Sequence, residues 1–149
     1  MITETTFLSE SEIKKAEEEA RAACVVVLSS VGDGSVLAIT KKDDYANIGL
    51  PGGKLEPNEH PRDAAVRECY EETGLMVDKE SLIPVYCGPG RTTVSITYLA
   101  QTIIGGKLLP ANKEGLPMWV NPHMFLKDAC AYKHYNIIIL KKLVKAGLL

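Results

Sequence analysis

Three glutamates, Glu68, Glu71 and Glu72, stand three and four residues apart in a segment that follows two glycines. On a helix, at roughly 100° per residue, they would fall within one arc of about 100°. Like charges at this spacing destabilise a bare helix, so the pattern indicates a counter-charge. Carboxylate oxygens crowded on one face suit Mg²⁺, with Mn²⁺ as a substitute. The alternative interpretation is a solvated acidic helix face.

The residues around the glutamates predict a glycine loop that leads into a short helix. Gly52 and Gly53 allow the backbone to approach a ligand closely. Pro61 suits the first helical position and Gly74 suits the position just after the last turn. We therefore expect a helix from about Pro61 to Thr73, with His60 as its N-cap.

The spacing of the charged and glycine residues resembles the Nudix box. The matching residues are Gly53, Glu59, Arg67-Glu68, Glu71-Glu72 and Gly74-Leu75. The departure is Cys69, where the family usually has an aliphatic residue, and a free cysteine behaves as a small buried apolar side chain. The resemblance implies an α/β/α sandwich with a mixed sheet, and hydrolysis of a nucleoside diphosphate linked to another group.

The resemblance also implies roles for the box residues. The implied ligands of Mg²⁺ are Glu68, Glu71, Glu72 and the carbonyl of Gly52. Either Glu71 or Glu72 would accept a proton from the attacking water. Glu59 and Arg67 would support the cluster, and Arg67 could hold a carboxylate in place. An ordinary i, i+4 ion pair with Glu71 is the alternative for Arg67.

Four candidate residues lie outside these positions. The segment from Lys113 to Trp119 resembles a loop of MutT-type members, which implies that Glu114 is a metal ligand or general base; the alternative is a turn residue. Asn136 corresponds to the purine-reading region, or else it is a polar helix-start residue. Lys54 and Arg91 are candidates for phosphate contacts, with plain surface exposure as the alternative.

Several substrates remain open. The Glu114 segment and the small size favour a (d)NTP, with an oxidised purine such as 8-oxo-dGTP as one option, cleaved to monophosphate and pyrophosphate. Pro89, fifteen residues beyond Gly74, lies close to where ADP-ribose hydrolases of the family carry a proline, and this resemblance favours ADP-ribose. Capped RNA is a third choice that neither charge nor an aromatic stripe supports. A Nudix-fold sensor that binds nucleotide without cleaving it belongs to another class, and the complete acidic set argues against it.

Composition is that of an ordinary soluble domain. The chain has 149 residues, 46% of them hydrophobic, and a formal net charge of −2, which predicts one domain over 1–149 and no nucleic-acid partner. The four cysteines lack metal-ligand spacing, no apolar run could span a membrane, and the N-terminus is acidic. We therefore expect a cytoplasmic protein.

A capping box at Ser9–Glu12 predicts a helical extension over 9–22 that either closes one side of the fold or joins a homodimer. The expected strands are 23–29, 35–40, 48–50, 75–77, 82–87, 92–104, 107–109 and 117–121. A hairpin turn at 31–34, a loop at 41–47 and a turn at Gly105-Gly106 connect them. Helices are expected at 122–127 and 132–145, the latter burying Ile137, Ile138, Leu140 and Val144.

Overall fold

The computed structural model describes residues 2–90 and 92–149. Its α-helices are α1 (Glu10–Glu19), α2 (Pro61–Thr73) and α3 (Lys133–Lys145), and two short 3-10 helices span Lys79–Ser81 and Pro122–Leu126. Its strands are β1 (Ala22–Val27), β2 (Val36–Lys41), β3 (Asp44–Gly49), β4 (Gly52–Lys54), β5 (Leu75–Val77), β6 (Ile83–Pro89), β7 (Val94–Ala100), β8 (Ile103–Gly106) and β9 (Pro117–Val120).

The central sheet has the strand order β4-β1-β7-β6. β1 pairs in parallel with β7, whereas the β1–β4 and β6–β7 pairs are antiparallel, so the sheet is mixed. A second sheet has the order β3-β2-β9, and β5 pairs with β8 alone. The short β4 is therefore an edge strand.

Helices cover both faces of the central sheet. Alanines of α1 and α2 pack with alternate residues of β1 and β7 on one face, including Ala16, Ala65 and Val25. Residues of α3 pack on the other face, with Val26, Ile139 and Leu143 among the buried contacts. The predicted α/β/α sandwich is confirmed.

The N-terminal helix α1 packs into the fold instead of standing apart from it. Its Ser9 capping box forms as predicted, but the helix ends at Glu19 and not at 22, because Arg21 already bonds to Val94 of β7. The Glu17 carboxylate accepts hydrogen bonds from the Tyr98 hydroxyl (2.6 Å) and the Arg62 Nε (3.0 Å). These contacts tie α1 to both α2 and the central sheet.

The helix α2 follows its local sequence signals. It runs from Pro61 to Thr73 as predicted, and the His60 side chain accepts a hydrogen bond from the Arg62 N–H as the N-cap. Gly74 ends the helix with φ of 83°, the left-handed conformation that favours glycine. The predicted boundaries are confirmed because caps at both ends are encoded locally.

Strand partners differ from the local prediction in the first half of the chain. The turn at 31–34 reverses the chain as predicted, since the Ser29 N–H donates to the Ser35 carbonyl (2.9 Å) and Leu28 and Val36 form an isolated antiparallel bridge. β1 and β2 themselves belong to different sheets, so the two strands do not pair along their length. The predicted loop at 41–47 contains most of β3, which pairs with β2. The glycine loop is itself the strand β4, paired with β1.

Three further predictions are wrong in the second half of the chain. The expected strand 92–104 is two strands in different sheets, β7 and β8, and no strand forms at 107–109. The helix α3 buries Tyr135, Asn136, Ile139 and Leu143, whereas Ile138 and Val144 are exposed. The helix contains apolar residues on several sides, so periodicity alone did not select its buried face.

Among the described residues, no helix has the length and apolar character needed to cross a membrane.

Replacing Gly74 with alanine should destabilise the protein by about 3 kcal/mol or more, because an added Cβ would collide with the Lys107 carbonyl oxygen at a position that also has positive φ. Gly147→Ala is a matched control, since Gly147 has φ of 78° but open space around it. Its expected cost is about 1 kcal/mol, from the backbone alone. Urea unfolding measures both, and equal costs would contradict the packing argument.

Candidate active site

The carboxylates of α2 lie directly against the glycine strand β4. The Glu72 Oε1 accepts a hydrogen bond of 2.7 Å from the backbone N–H of Gly52. A Cβ added to Gly53 would lie 2.7 Å from the carboxylate carbon of Glu68. The missing side chain of Gly53 therefore lets Glu68 approach this strand, while Glu72 reaches it through the Gly52 N–H.

Arg67 joins the cluster to the segment before the helix. Its Nε and Nη2 donate to the two oxygens of Glu59 at 2.8 and 2.9 Å. Its Nη1 donates to Glu68 (2.9 Å) and Glu71 (3.2 Å), and Nη2 also reaches the Lys54 carbonyl at 3.2 Å. The two interpretations of Arg67 are therefore not exclusive, since it forms the i, i+4 pair and holds other carboxylates too.

The cluster carries uncompensated negative charge. Burial raises the pKa of Glu72 to about 8, although the Gly52 N–H opposes the shift, and the charges of Glu68 and Glu114 raise it further. Burial also raises the pKa of Glu68, despite its hydrogen bond to Arg67. A positive charge placed among these groups would therefore be strongly favoured.

A divalent cation suits this set by its chemistry. In residues 2–90 and 92–149, no three or more His, Cys, Asp or Glu side chains are grouped so that they could hold an ion as they stand. The reason is visible in the contacts, because Glu68 and Glu71 both bind Arg67 while Glu72 binds a backbone N–H. The donors are nevertheless hard oxygens, and a nearby cation would favour the charged form of Glu72, whose pKa is raised by burial.

Glu114 lies in a tightly held turn. Its N–H donates to the Asn112 side chain (2.8 Å), and the Asn112 N–H donates to the Gly115 carbonyl (2.9 Å). Thr40 of β2 anchors the turn, because its Oγ1 accepts from the Leu116 N–H (2.9 Å). The negative charge of Glu114 adds to the raised pKa of Glu68 and Glu72 on α2.

A cavity of about 170 Å³ lies beside β4 on the α3 side of the sheet. Its lining includes Cys24, Gly52, Gly53, Lys54, Tyr132 and Asn136. Asn136 is only 3% exposed, and its Nδ2 has no hydrogen-bond partner among the described residues. An unpaired buried amide is costly, so the cavity offers a donor to a ligand.

The cavity wall contains residues that sequence reasoning missed. Cys24, Tyr135 and Ser95 line the cavity, and the buried Thr97, which is not part of the lining, joins them in a connected set of hydrogen bonds. These residues come from β1, β7 and α3, and no local pattern joins them. None of the four cysteines, all in the described ranges, forms a disulfide, and burial raises the pKa of Cys24 to about 11, so its thiol is neutral at pH 7.

The remaining candidates are placed as follows. Lys54 is exposed and borders the cavity, whereas the exposed His134 is not part of its lining. Pro89 is exposed at the end of β6 and does not line the cavity either. Arg91 lies outside the described residues. The structure therefore brings Lys54 and Asn136 to one cavity, next to the carboxylates of α2.

Glu72→Gln should stabilise the metal-free protein at alkaline pH. Since the folded pKa of about 8 exceeds the ordinary glutamate value of 4.5, the wild type loses stability as pH rises from about 4.5 to 8, and glutamine removes that loss. We expect a gain on the order of 2 kcal/mol at pH 9 and none at pH 4, allowing for partial solvation of the cleft. Urea unfolding in chelator measures it.

The control for this prediction is Glu71→Gln, because the Glu71 side chain is 51% exposed. Its effect should stay within about 0.5 kcal/mol at all pH values. A Glu72→Gln gain that is the same at pH 4 and pH 9 would contradict the burial argument.

The chain is similar in sequence to parts of several known proteins. A MutT-like protein of Streptomyces ambofaciens is 33% identical over 90 residues, which is 60% of this chain and 57% of that protein. An ADP-ribose pyrophosphatase of Methanocaldococcus jannaschii is 38% identical over 82 residues, 51% of this chain and 48% of that protein. The matches span about half the length of these two curated relatives.

Solved structures and family models agree with this result. A crystal structure of a Bacillus subtilis pyrophosphohydrolase mutant has a TM-score of 0.64 at 26% identity and covers 87% of this chain and 84% of that chain. The model of the NUDIX domain matches residues 18–139. That match takes in the central sheet, the carboxylates of α2 and the start of α3, and the chain therefore belongs to the Nudix family.

Proposed function

We propose that the protein hydrolyses the pyrophosphate bond of a nucleoside diphosphate-linked substrate, with Mg²⁺ as cofactor and Mn²⁺ as a substitute. The observation that carries this proposal is the position of β4. The carboxylates of Glu68 and Glu72 on α2 lie against its backbone. The same strand lines the cavity together with Asn136. A nucleotide with its base in the cavity would therefore have its phosphates near the carboxylates.

The proposed ligands of the cation are Glu68, Glu71, Glu72 and the carbonyl of Gly52. When bound, a divalent cation polarises phosphoryl oxygens and lowers the pKa of water. Glu71 or Glu72 accepts the proton of the attacking water. Arg67 is a positioning residue, because its hydrogen bonds hold Glu68 and Glu71 side by side against their mutual repulsion.

Glu114 and Lys54 complete the proposed site. Glu114 lies in the turn before β9, whose backbone is held by hydrogen bonds to Asn112 and Thr40, while the Glu114 side chain itself is exposed. We assign it as a further ligand or the general base. Lys54 borders both the cavity and the cluster, where an ammonium group suits a phosphate.

A (d)NTP, cleaved to monophosphate and pyrophosphate, is the substrate class that we favour, with purines including 8-oxo-dGTP in that class. The support is the Asn136 amide, which can pair with a base edge, together with the Glu114 segment, whose turn is held by its backbone. ADP-ribose is the second candidate, supported by the pyrophosphatase relative at 38% identity. The complete acidic set favours hydrolysis over a sensor role.

The cytoplasmic location of the protein and its assembly as a homodimer stay predictions.

Hydrolysis with Mg²⁺ of a nucleotide panel that includes dNTPs, 8-oxo-dGTP and ADP-ribose tests this proposal, with products resolved by ion-exchange chromatography. We expect nucleoside monophosphate and pyrophosphate from a triphosphate. Glu71→Gln and Glu72→Gln should each lower kcat by at least about 10²-fold, because they remove a charge from the cluster.

Normal circular dichroism spectra of both variants are the control for folding. Near-normal turnover in both would contradict the hydrolase proposal. A far higher kcat/KM for ADP-ribose than for any triphosphate would instead move the substrate to the second candidate. Nucleotide binding with no product from any member of the panel would favour the sensor.

Asn136→Ala should weaken discrimination among bases and leave the metal dependence unchanged. If the amide pairs with a base edge, its loss raises KM for the preferred base by about 10-fold or more and changes the others little. His134→Ala is the control, since His134 is exposed on the same helix and does not line the cavity. An equal loss for all bases would show that Asn136 is structural.

A further inference from the structure

The hydrogen bonds in the cavity wall connect three elements of the fold. The Cys24 Sγ of β1 lies 3.0 Å from the Thr97 Oγ1 of β7. The Thr97 Oγ1 lies 2.7 Å from the Tyr135 hydroxyl of α3, which donates to the Ser95 carbonyl at 3.0 Å. Thr97 is fully buried and Tyr135 is only 9% exposed, so water does not replace these contacts.

The hydrogen bond from the Tyr135 hydroxyl to the Ser95 carbonyl fixes the directions of the other two. The Ser95 carbonyl can only accept, so the single hydroxyl proton of Tyr135 is used there. Thr97 must then donate its own proton to Tyr135, which leaves Cys24 as the donor to Thr97. This is the one arrangement of protons that satisfies all three contacts. The thiol proton therefore points into the wall.

Cys24 consequently presents only sulfur lone pairs to the cavity. Its side chain packs with Val26 on the α3 side of β1, which is the side of the cavity, and Cys24 lines that cavity together with Asn136. The unpaired, 97% buried amide of Asn136 is independent evidence that this cavity takes a polar ligand. Two different polar groups, one on α3 and one on β1, thus line the same cavity.

We propose that Cys24 is a specificity-determining residue that accepts a hydrogen bond from an N–H group of the substrate base. The thiol is held in the acceptor orientation by Thr97, Tyr135 and Ser95. Heteroaromatic bases that carry an amino group or a ring N–H are the ligand class that this wall favours. The inference rests on the proposed function only in taking the ligand to be a nucleotide.

The test compares nucleotide pairs that differ by one amino group, dGTP with dITP and ATP with purine riboside triphosphate. Cys24→Ser keeps the geometry and replaces sulfur with a stronger acceptor. In at least one pair we expect the ratio of kcat/KM values to shift by about fivefold toward the nucleotide with the amino group.

Thr97→Val should shift the same ratio in the opposite direction, because it removes the acceptor that holds the thiol proton and frees that proton to face the ligand. Thr97→Ser is the matched control and should leave the ratio unchanged. An equal change for all nucleotides, or shifts of the same sign in Cys24→Ser and Thr97→Val, would overturn the proposal.

A second measurement needs no substitution and no catalysis. Alkylation of the wild-type protein by iodoacetamide at pH 8.5 is followed at each cysteine by mass spectrometry, with and without a non-hydrolysable nucleotide and in the absence of metal. We expect the nucleotide to slow alkylation at Cys24 by about fivefold and not at Cys87, which is also partly buried but does not line the cavity.

The two measurements separate the two proposals. Protection of Cys24 without turnover of any nucleotide would retain the base contact and remove the hydrolase proposal. Turnover without protection of Cys24 would retain the hydrolase proposal and overturn the base contact.

Discussion

The close approach of α2 to the edge strand β4 is the contact on which the site depends. Glu68 can come this close only because Gly53 has no side chain, since an added Cβ would meet the Glu68 carboxylate, whereas an added Cβ at Gly52 would meet β1. The approach removes Glu72 from water while giving it one backbone N–H, and its pKa rises to about 8. A cation beside these carboxylates would therefore favour their charged form and lower their pKa.

Arg67 makes this crowding compatible with a stable helix. Glu59 accepts hydrogen bonds from both Nε and Nη2 of Arg67, which fixes the arginine side chain. The Nη1 of the same guanidinium donates to Glu68 and Glu71. The bond to the Lys54 carbonyl ties the same arginine to β4. One residue thus aligns the strand, the connecting segment and the carboxylates, and a lysine with a single ammonium group has no comparable fork.

Local sequence signals were reliable where a structure is encoded by its own residues. The cap residues of α2 and the capping box of α1 lie within one or two turns of the helices that they define. Local signals did not predict the partners of the strands, because a turn at 31–34 specifies a reversal of direction and not the sheet that each strand joins. The split between β7 and β8 and the buried face of α3 likewise depend on which surfaces meet in the folded chain.

The sequence alone determined the family, the α/β/α class and the order of charges on α2, because the spacing of Gly53, Arg67 and the glutamates lies within one short segment. Only the tertiary structure decided what surrounds that segment. Glu114, Asn136 and Cys24 are far from it in the chain and lie in the turn before β9, on α3 and on β1. Packing of those elements on both faces of one sheet sets their positions, and no local pattern records it.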